Sequence, residues 1–500
     1  MLLSAVIAIP FLGALVLFLR SGSRRLALAI AGIPLVLLVW LVTHFDPQQS
    51  GIQYQTYWEW IPQIGLNYSL GLDGISLLMV GLNALLTFIA ILSAEAAIKR
   101  PALFYGLILL TSGAVHGAFL SQNLLLFFLF YELVLIPMYL LICIWGSARG
   151  DYAGIKFLIY TAVSSILVLG AFLAIGWLAD PHSFELSQLH DLALDPQTQT
   201  LVLVALILGF GIKMPLIPLH TWLPDAYGES SGPVAILLGG ILSKLGIYGL
   251  LRFGLDLWPE GWATVAGILA GWGAVCVLAG ALAAIAQTDI QRMVAYSSIG
   301  HMGYILLGMA AATPVSLTGV MLQMVSHGLI LALLFNLVGI IERIVGSRDL
   351  NVLNGLLNPI RGLPAISALL ILAGMASAGI PGLVGFVAEF LIFQGSYSIF
   401  PLATLIAILG TGLTAVYFVI LLNRTCFGKL DNHTAYYPLI QTWERIPGLI
   451  LAGLIIWFGI QPMSLVQLPQ SLAFDMAGKV AQVQQEPILV AEIVDLAKTP

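Results

Sequence analysis

The chain has 500 residues, of which 60% are hydrophobic and only 9% are charged. A soluble globular protein carries roughly 25% charged residues, so this composition could not cover a surface that faces water. The net charge of −5 is small and spread along the chain, which argues against a nucleic-acid-binding protein. The composition is that of an integral membrane protein.

Apolar runs long enough to cross a bilayer recur along almost the whole chain. A transmembrane helix needs about 20 mostly apolar residues, and counting such runs predicts an all-α, multi-pass fold with about fourteen spans. The predicted segments 1 to 14 are Leu2–Leu19, Leu26–Thr43, Gly74–Ala94, Ala102–Leu120, Leu124–Trp145, Tyr152–Ala179, Leu201–Leu219, Val234–Gly254, Trp262–Ala286, Ile290–Ala312, Ser316–Ile344, Ala365–Ile399, Leu402–Phe427 and Ile446–Ile460. The more polar tail from Gln467 to Pro500 is expected to lie along the surface.

The basic residues between these segments are distributed unevenly. Cytoplasmic loops are enriched in Lys and Arg, and one side of the predicted topology collects Arg20, Arg24, Arg25, Lys99, Arg100, Arg149, Lys156, Arg292, Arg343, Arg348, Arg361, Arg424, Lys429 and Arg445. The other side has only Arg252, Lys479 and Lys498. The asymmetry predicts an even number of spans, with both termini on the non-cytoplasmic side.

Two segments contain helix-breaking residues. Segment 7 reads Gly211-Ile-Lys213-Met-Pro215-Leu-Ile-Pro218, and segment 12 carries Gly379-Ile-Pro381-Gly382. Proline inside a helix removes a backbone hydrogen bond and clashes with the preceding turn. Paired interruptions of this kind point to a transport site between inverted repeats, although both prolines could simply shape packing.

The two breaks lie five segments apart, which predicts two inverted five-helix units. Residues 101–254 would form the first half-channel unit and residues 262–427 the second, inverted one. Residues 1–100 would add three N-terminal helices, and residues 444–500 the last helix with the surface tail.

Four ionisable residues stand out within the apolar predicted spans: Glu132, Lys213, Lys244 and Glu389. A charge at the centre of a membrane helix costs roughly 2.5–3.5 kcal/mol on insertion scales, so each needs a reason. Burial and a nearby carboxylate act in opposite directions on the pKa of a lysine, so a movable Glu–Lys pair can take up and release a proton. The alternative is a static Glu132–Lys213 pair that only fixes packing.

Three histidines could extend such a proton path: His220, His301 and His327. Neutral imidazole both donates and accepts hydrogen bonds, which suits a relay. For any one of them a hydrogen-bonded packing role remains open, and His116 is interpreted as packing.

No sequence feature indicates a cofactor on this chain. The cysteines Cys143, Cys276 and Cys426 lie far apart without CxxC spacing, which favours packing over a metal or cluster site. The sequence contains neither a Walker motif nor GxGxxG. The energy for transport would therefore come from an ion gradient or a partner subunit.

At these residues the sequence resembles the antiporter-like, proton-pumping subunits of complex I, most of all the chain 4 branch (NuoM, NdhD) of the NAD(P)H-quinone oxidoreductases. The runs that carry the resemblance are Lys213-Met-Pro-Leu-Ile-Pro-Leu-His220-Thr-Trp-Leu-Pro-Asp225-Ala, Lys244-Leu-Gly-Ile-Tyr-Gly, Gln287-Thr-Asp-Ile-Gln-Arg292-Met-Val-Ala-Tyr-Ser-Ser-Ile-Gly-His301-Met-Gly and Asn67-Tyr-Ser-Leu-Gly71-Leu-Asp73-Gly-Ile-Ser. Two departures, Tyr227 in place of a usual histidine and Ser243 in place of an apolar residue, leave the proton entry route open.

The resemblance implies a role for each membrane charge. Glu132 and Lys213 would form the first pair, Lys244 the central relay and Glu389 the terminal relay toward the far side. Quinone, iron–sulfur clusters and the electron donor would bind other subunits, and the membrane partners would be other antiporter-like subunits together with lipids. The wording of the motifs is similar to the cyanobacterial NDH-1 branch of the thylakoid, which implies plastoquinone, photosynthetic electron transport and, in some complexes, carbon dioxide uptake.

Two other functions remain open from the sequence. A subunit of an Mrp-type cation/proton antiporter would share these charges, and a non-transporting subunit would use the apolar surface and the tail to anchor its neighbours.

Overall fold

The computed structural model describes residues 1–20, 22–49, 51–95, 97–179, 182–190, 192, 194–359, 363–427, 437–438 and 440–496, with side chains up to residue 483. Of the basic residues used to predict the topology, Arg361, Lys429 and Lys498 lie outside the described residues.

Helices make up nearly all of the fold. The first ten are α1 (Leu2–Leu19), α2 (Arg24–His44), α3 (Gly74–Ser93), α4 (Pro101–Leu120), α5 (Leu124–Leu133), α6 (Leu135–Trp145), α7 (Gly150–Leu178), α8 (Leu186–Leu189), α9 (Pro196–Lys213) and α10 (Trp222–Glu229). They are followed by α11 (Gly232–Leu237), α12 (Ser243–Gly249), α13 (Pro259–Ile285), α14 (Ile290–Ala311), α15 (Pro314–Val345), α16 (Pro364–Ser377), α17 (Val384–Tyr397), α18 (Pro401–Thr425), α19 (Thr442–Ile460) and α20 (Met463–Leu496).

The all-α membrane class is confirmed. Within the described residues, twelve helices are long and apolar enough to cross a membrane. Predicted segment 10 corresponds to α14, a 22-residue helix with a more polar sequence, and segment 12 corresponds to the short pair α16 and α17. The count of fourteen spans and the division into two inverted units stay predictions.

Both predicted helix breaks are present. Segment 7 stops at Lys213 and resumes as α10 at Trp222, while segment 12 stops at Ser377 and resumes as α17 at Val384. The second break turns through Gly379 and Gly382, whose φ angles of +69° and +90° favour glycine.

Two further irregularities were not predicted. Segment 5 is divided at Val134 into α5 and α6, because Pro137 has no N–H to donate to the Leu133 carbonyl. Segment 8 begins as α11 and contains π-helical turns at Leu238–Leu242 and Leu250–Leu255 on either side of α12. Such turns occur frequently at functional sites.

The region between α2 and α3, which separates predicted segments 2 and 3, forms a two-stranded antiparallel hairpin. Strand β1 (Gln53–Ile61) pairs with β2 (Leu66–Leu72), with Glu59 opposite Asn67. The turn closes at Gly65, where φ is +70°. The β2 strand leads directly into Asp73, which caps α3 by accepting from the Ser76 backbone N–H.

Close packing between α13 and α14 depends on glycines. A Cβ at Gly273 would lie 2.7 Å from the Gly303 carbonyl oxygen, and one at Gly280 would lie 2.6 Å from the Gly300 nitrogen. Gly267 and Gly271 of α13, by contrast, face open space.

The tail, which is expected from the sequence to lie along the surface, forms the helix α20, and this helix packs on the bundle. The first half of α20 contacts α3, α13 and α15, and it buries a row of apolar side chains: Leu465, Leu468, Leu472, Ala473, Met476, Ala477 and Val480. Here α20 lies over the ends of the bundle that carry Asp73 and Asp256, called the opposite face below. The other end, with Arg149, Arg292 and Arg348, is called the basic face.

Candidate functional site

Lys213 lies at the last turn of α9, directly before the break. Its side chain is almost fully buried, and the free carbonyls at a helix C-terminus favour a cation there. The Nζ atom lies 3.4 Å from the centroid of the Tyr131 ring, within cation–π distance. The Trp222 indole N–H donates to the Ile212 carbonyl at 2.9 Å and so ties the two halves of the broken segment together.

Glu132 lies next to Tyr131 in the last turn of α5, close to the irregularity at Val134. Its carboxylate accepts a hydrogen bond from the Ser165 hydroxyl. Among the described residues no ion pair within 4.0 Å joins Glu132 to Lys213, so the two side chains do not form an ion pair in this conformation. Instead, the Lys213 ammonium lies over the Tyr131 ring, and the Glu132 carboxylate accepts a hydrogen bond from the Ser165 hydroxyl.

Lys244 is completely buried in α12, in the middle of irregular segment 8. Its ammonium donates to the Gly239 carbonyl at 2.6 Å, in the π-helical turn, and lies 2.9 Å from His327 Nδ1. The helix can approach the segment 7 break because of Gly246, where a Cβ would lie 2.8 Å from the Phe210 oxygen and 2.9 Å from the Met214 nitrogen.

His327 and His301 continue from Lys244 toward segment 12. Their ring centroids lie 5.2 Å apart. His301 Nδ1 faces the Ser297 carbonyl at 2.8 Å, and its Nε2 faces the Ser377 carbonyl at 3.3 Å. Acceptors at both ring nitrogens suit the protonated imidazole, because only that form donates from both.

Glu389 ends this series of buried groups. Its Oε1 atom lies 3.5 Å from His301 Nε2, and both side chains are 4% exposed. The carboxylate abuts the segment 12 break, since a Cβ at Gly379 would lie 2.9 Å from Glu389 Oε2. Lys244, His327, His301 and Glu389 therefore form one buried line from segment 8 to the second break, and this line is called the relay below.

His220 is the candidate that the structure does not bring into the relay. It lies in the segment 7 break, half-buried, with its ring centroid 6.3 Å from that of Tyr296. Its Nδ1 has no hydrogen-bond partner among the described residues. His220 therefore contacts none of the other candidate residues in the described structure, and its role in the proton path stays a prediction.

Asp225 and Glu229 of α10 form ion pairs with basic residues. Asp225 pairs with Lys156 at 2.7 Å and with Arg292 at 2.9 Å, while Glu229 pairs with Arg149 at 2.7 Å. Burial raises the pKa of Asp225, but hydrogen bonds from Lys156 and Arg292 outweigh it and hold that pKa below its usual range. These pairs fix the short helix α10 to α7 and α14.

Sequence reasoning missed Tyr131 and Ser165, which hold Lys213 and Glu132 in this conformation. Tyr131 adjoins Glu132 in the sequence, but only the fold places its ring under a lysine of another helix. Ser165 lies in α7 and carries no sequence signal. In the described part of the chain, no three His, Cys, Asp or Glu side chains converge as metal ligands.

A buried amine, two imidazoles and a carboxylate that end at a broken helix are the features of an integral, multi-pass membrane protein of the ion-transporting class. A family model described as "NADH:quinone oxidoreductase/Mrp antiporter, TM" matches residues 121–414. The chain belongs to this family.

Relatives and solved structures agree with that membership. The NAD(P)H-quinone oxidoreductase chain 4 1 of Synechococcus sp. (strain JA-3-3Ab) is 37% identical, over 100% of this chain and 98% of the relative. A chain of respiratory complex I from Thermus thermophilus is 29% identical with a TM-score of 0.89, covering 96% of this chain and 100% of that one. A chain of the Mrp complex from Dietzia sp. DQ12-45-1b shares the fold, with a TM-score of 0.84 and 24% identity over 97% and 99% of the two chains.

Proposed function

We propose that this chain is the proton-translocating membrane subunit of a quinone-reducing NAD(P)H-quinone oxidoreductase of the complex I type. The observation that supports this most is the relay. Lys244 Nζ lies 2.9 Å from His327 Nδ1, the His327 and His301 ring centroids are 5.2 Å apart, and His301 Nε2 lies 3.5 Å from Glu389 Oε1. Buried ionisable groups in membrane segments mark proton pathways.

The geometry gives each relay residue a step. Lys244 donates to His327 Nδ1, so this nitrogen is the acceptor for a proton that leaves the ammonium. His327 can then release a proton from Nε2, which has no hydrogen-bond partner among the described residues. His301 takes up this proton as an imidazolium, which lies between the Ser297 and Ser377 carbonyls and Glu389. The Glu389 carboxylate then accepts a proton from His301 Nε2 and passes it on at the second break.

The segment 7 end of the path supplies a switch. In this structure Ser165 holds Glu132 while Tyr131 holds Lys213. Movement of Glu132 to within about 4 Å of Lys213 would favour the ammonium by about 4 kcal/mol at an effective dielectric of about 20. Its return would favour release of the proton toward Lys244.

Electron transfer would take place on other subunits, which would hold the quinone, the iron–sulfur clusters and the electron donor. The named relative is chain 4 of a cyanobacterial complex, and this supports a thylakoid location with other antiporter-like subunits as neighbours. Cyclic electron flow or carbon dioxide uptake is the physiological setting that the proposal implies.

The experiment that tests this assignment is purification of the complex through a tag on this chain, followed by quinone reductase and cation-exchange assays in vesicles. Copurified redox subunits, quinone reduction and proton uptake are expected. Cation-dependent proton exchange without quinone reduction would instead support an Mrp-type antiporter. A double variant, Glu132→Gln with Lys213→Met, that assembles and pumps normally would support a purely structural subunit.

A further inference from the structure

A second cluster of buried charges lies outside the relay, at the opposite face. Arg252 donates to Asp73 and lies 3.6 Å from Asp256, and all three side chains are at most 6% exposed. Lys479 of α20 lies 2.7 Å from the other Asp256 oxygen. His190 Nε2 is 3.9 Å from Asp256. The cluster thus joins α3, segment 8 and α20.

The cluster stands in line with the central lysine. Lys244 and Tyr248 lie four residues apart on one face of α12. The line continues through the π-helical turn, because the Arg252 guanidinium lies over the Tyr248 ring and pairs with Asp256. Arg252 is eight residues from Lys244, about 12 Å along a helix. The short way from Lys244 to the opposite face therefore runs past Tyr248 and ends at Arg252.

Hydroxyl groups occupy the interval between the two cations. The Tyr248 hydroxyl donates to the Phe119 carbonyl at 3.1 Å and lies 3.2 Å from the Ser76 hydroxyl. The Arg252 guanidinium lies 5.5 Å from the Tyr248 ring. Hydroxyl groups can donate and accept in turn, so this side of Lys244 is not insulated by apolar side chains alone.

The charges at the end of this interval are arranged to keep a cation in place. Arg252 remains protonated under all ordinary conditions, and the two carboxylates balance it together with Lys479. Burial lowers the pKa of Lys479, but Asp256 and Asp475 outweigh this effect and raise it above the usual range. The helix α20 covers the cluster closely, because a Cβ at Gly74 would meet the backbone at Leu468 and Pro469.

We propose that Arg252, held by Asp73 and Asp256 and covered by α20, is an electrostatic barrier that prevents protons from passing directly between Lys244 and the opposite face. A fixed arginine excludes protons and cations from a polar path. The barrier makes His327 the exit for a proton from Lys244, so that protons leave through Glu389 and do not return by the shorter way. This inference rests on the proposed function, in which Lys244 carries protons.

The test is passive proton leak through the purified complex in vesicles, measured without electron donor. A pH step is applied with the membrane potential clamped, and an enclosed pH-sensitive dye reports its decay. The double variant Arg252→Gln with Asp73→Asn removes the barrier without leaving an unpaired buried charge, since Asp256 keeps Lys479. It should leak about tenfold faster than wild type, an effect equivalent to about 1.4 kcal/mol in the barrier.

Two controls separate a barrier from a structural ion pair. Arg252→Lys keeps a cation in the path and should leak protons no faster than wild type. The variant Arg343→Gln with Glu444→Gln removes a 2.5 Å ion pair between α15 and α19 and should stay tight as well. An assembled Arg252→Gln, Asp73→Asn complex that is as tight as wild type would overturn the proposal.

A further variant distinguishes this inference from the proposed function. Adding Lys244→Met to the leaky double variant should bring the leak back to the wild-type rate, because the leak passes through Lys244. If adding Lys244→Met leaves the leak rate of the double variant unchanged, the proposed barrier is overturned. That result would not bear on donor-driven pumping, which is measured separately. Failure of wild-type pumping would refute the proposed function, whatever the leak.

Discussion

The contact between His301 and Glu389 gives the sharpest quantitative prediction for the relay. At the observed 3.5 Å and an effective dielectric of about 20, an imidazolium and a carboxylate attract each other by about 5 kcal/mol. In Glu389→Gln the new amide, together with the Ser297 and Ser377 carbonyls, would replace part of this electrostatic stabilisation of the His301 imidazolium. If only about a third is lost, about 1.6 kcal/mol, protonation of His301 becomes unfavourable enough to slow proton transfer more than tenfold.

The assay is the rate of electron-donor-driven proton uptake, measured in vesicles for Glu389→Gln, His301→Gln and the double variant, with quinone reduction followed in parallel. Because both residues act in one step, the double variant should be about as defective as either single one rather than the product of both. His116→Gln is the matched control, since His116 is equally buried in α4 but lies outside the relay. It should keep the wild-type rate of proton uptake.

A wild-type rate of proton uptake in Glu389→Gln would refute the reasoning. Fully independent effects of Glu389→Gln and His301→Gln would also refute it, because these would place the two groups in separate steps.

The remaining predictions concern the elements that support the relay. Gly246→Ala places a methyl group against the Phe210 and Met214 backbone and should cost about 1–3 kcal/mol of stability, measured as a lower thermal inactivation midpoint of the complex. The control Gly271→Ala faces open space and should leave the midpoint unchanged. Equal midpoints for the two variants would contradict the packing at Gly246. Tyr131→Phe keeps a ring under Lys213 and should pump normally, whereas Tyr131→Leu should reduce pumping, because a cation–π contact between desolvated groups is worth about 2 kcal/mol; equal pumping would show that the ring is not needed. Asn123→Ala removes the side chain that caps α5 and should cost about 1 kcal/mol, seen as a similarly lowered midpoint; an unchanged midpoint would rule out that role.

The sequence alone could predict the membrane class, because composition and run length decide it before any residue is examined. The breaks in segments 7 and 12 were predictable for a local reason, since proline and glycine act on their own backbone. The split in segment 5 was missed because Pro137 was interpreted as part of a continuous apolar run. The π-helical turns beside Lys244 leave no local signal, since the sequence there reads as an ordinary helix.

The candidate site could be predicted as a set of residues but not as an arrangement. Lys244, His327, His301 and Glu389 were selected because polar groups in apolar runs are costly, and their order in space depends on how segments 8, 10, 11 and 12 pack. The Arg252 cluster was invisible for the same reason. Its members lie on elements far apart in the sequence, and Lys479 belongs to a tail that sequence reasoning left without a role.

Proton movement through Lys244 is the central claim, and one measurement tests it most directly. Electron-donor-driven proton uptake is followed in vesicles that contain the purified complex, wild type beside Lys244→Met, with quinone reduction measured in parallel. The account predicts that pumping is lost and quinone reduction slows in an assembled complex. Unchanged pumping in Lys244→Met would contradict it and would leave this chain a structural role only.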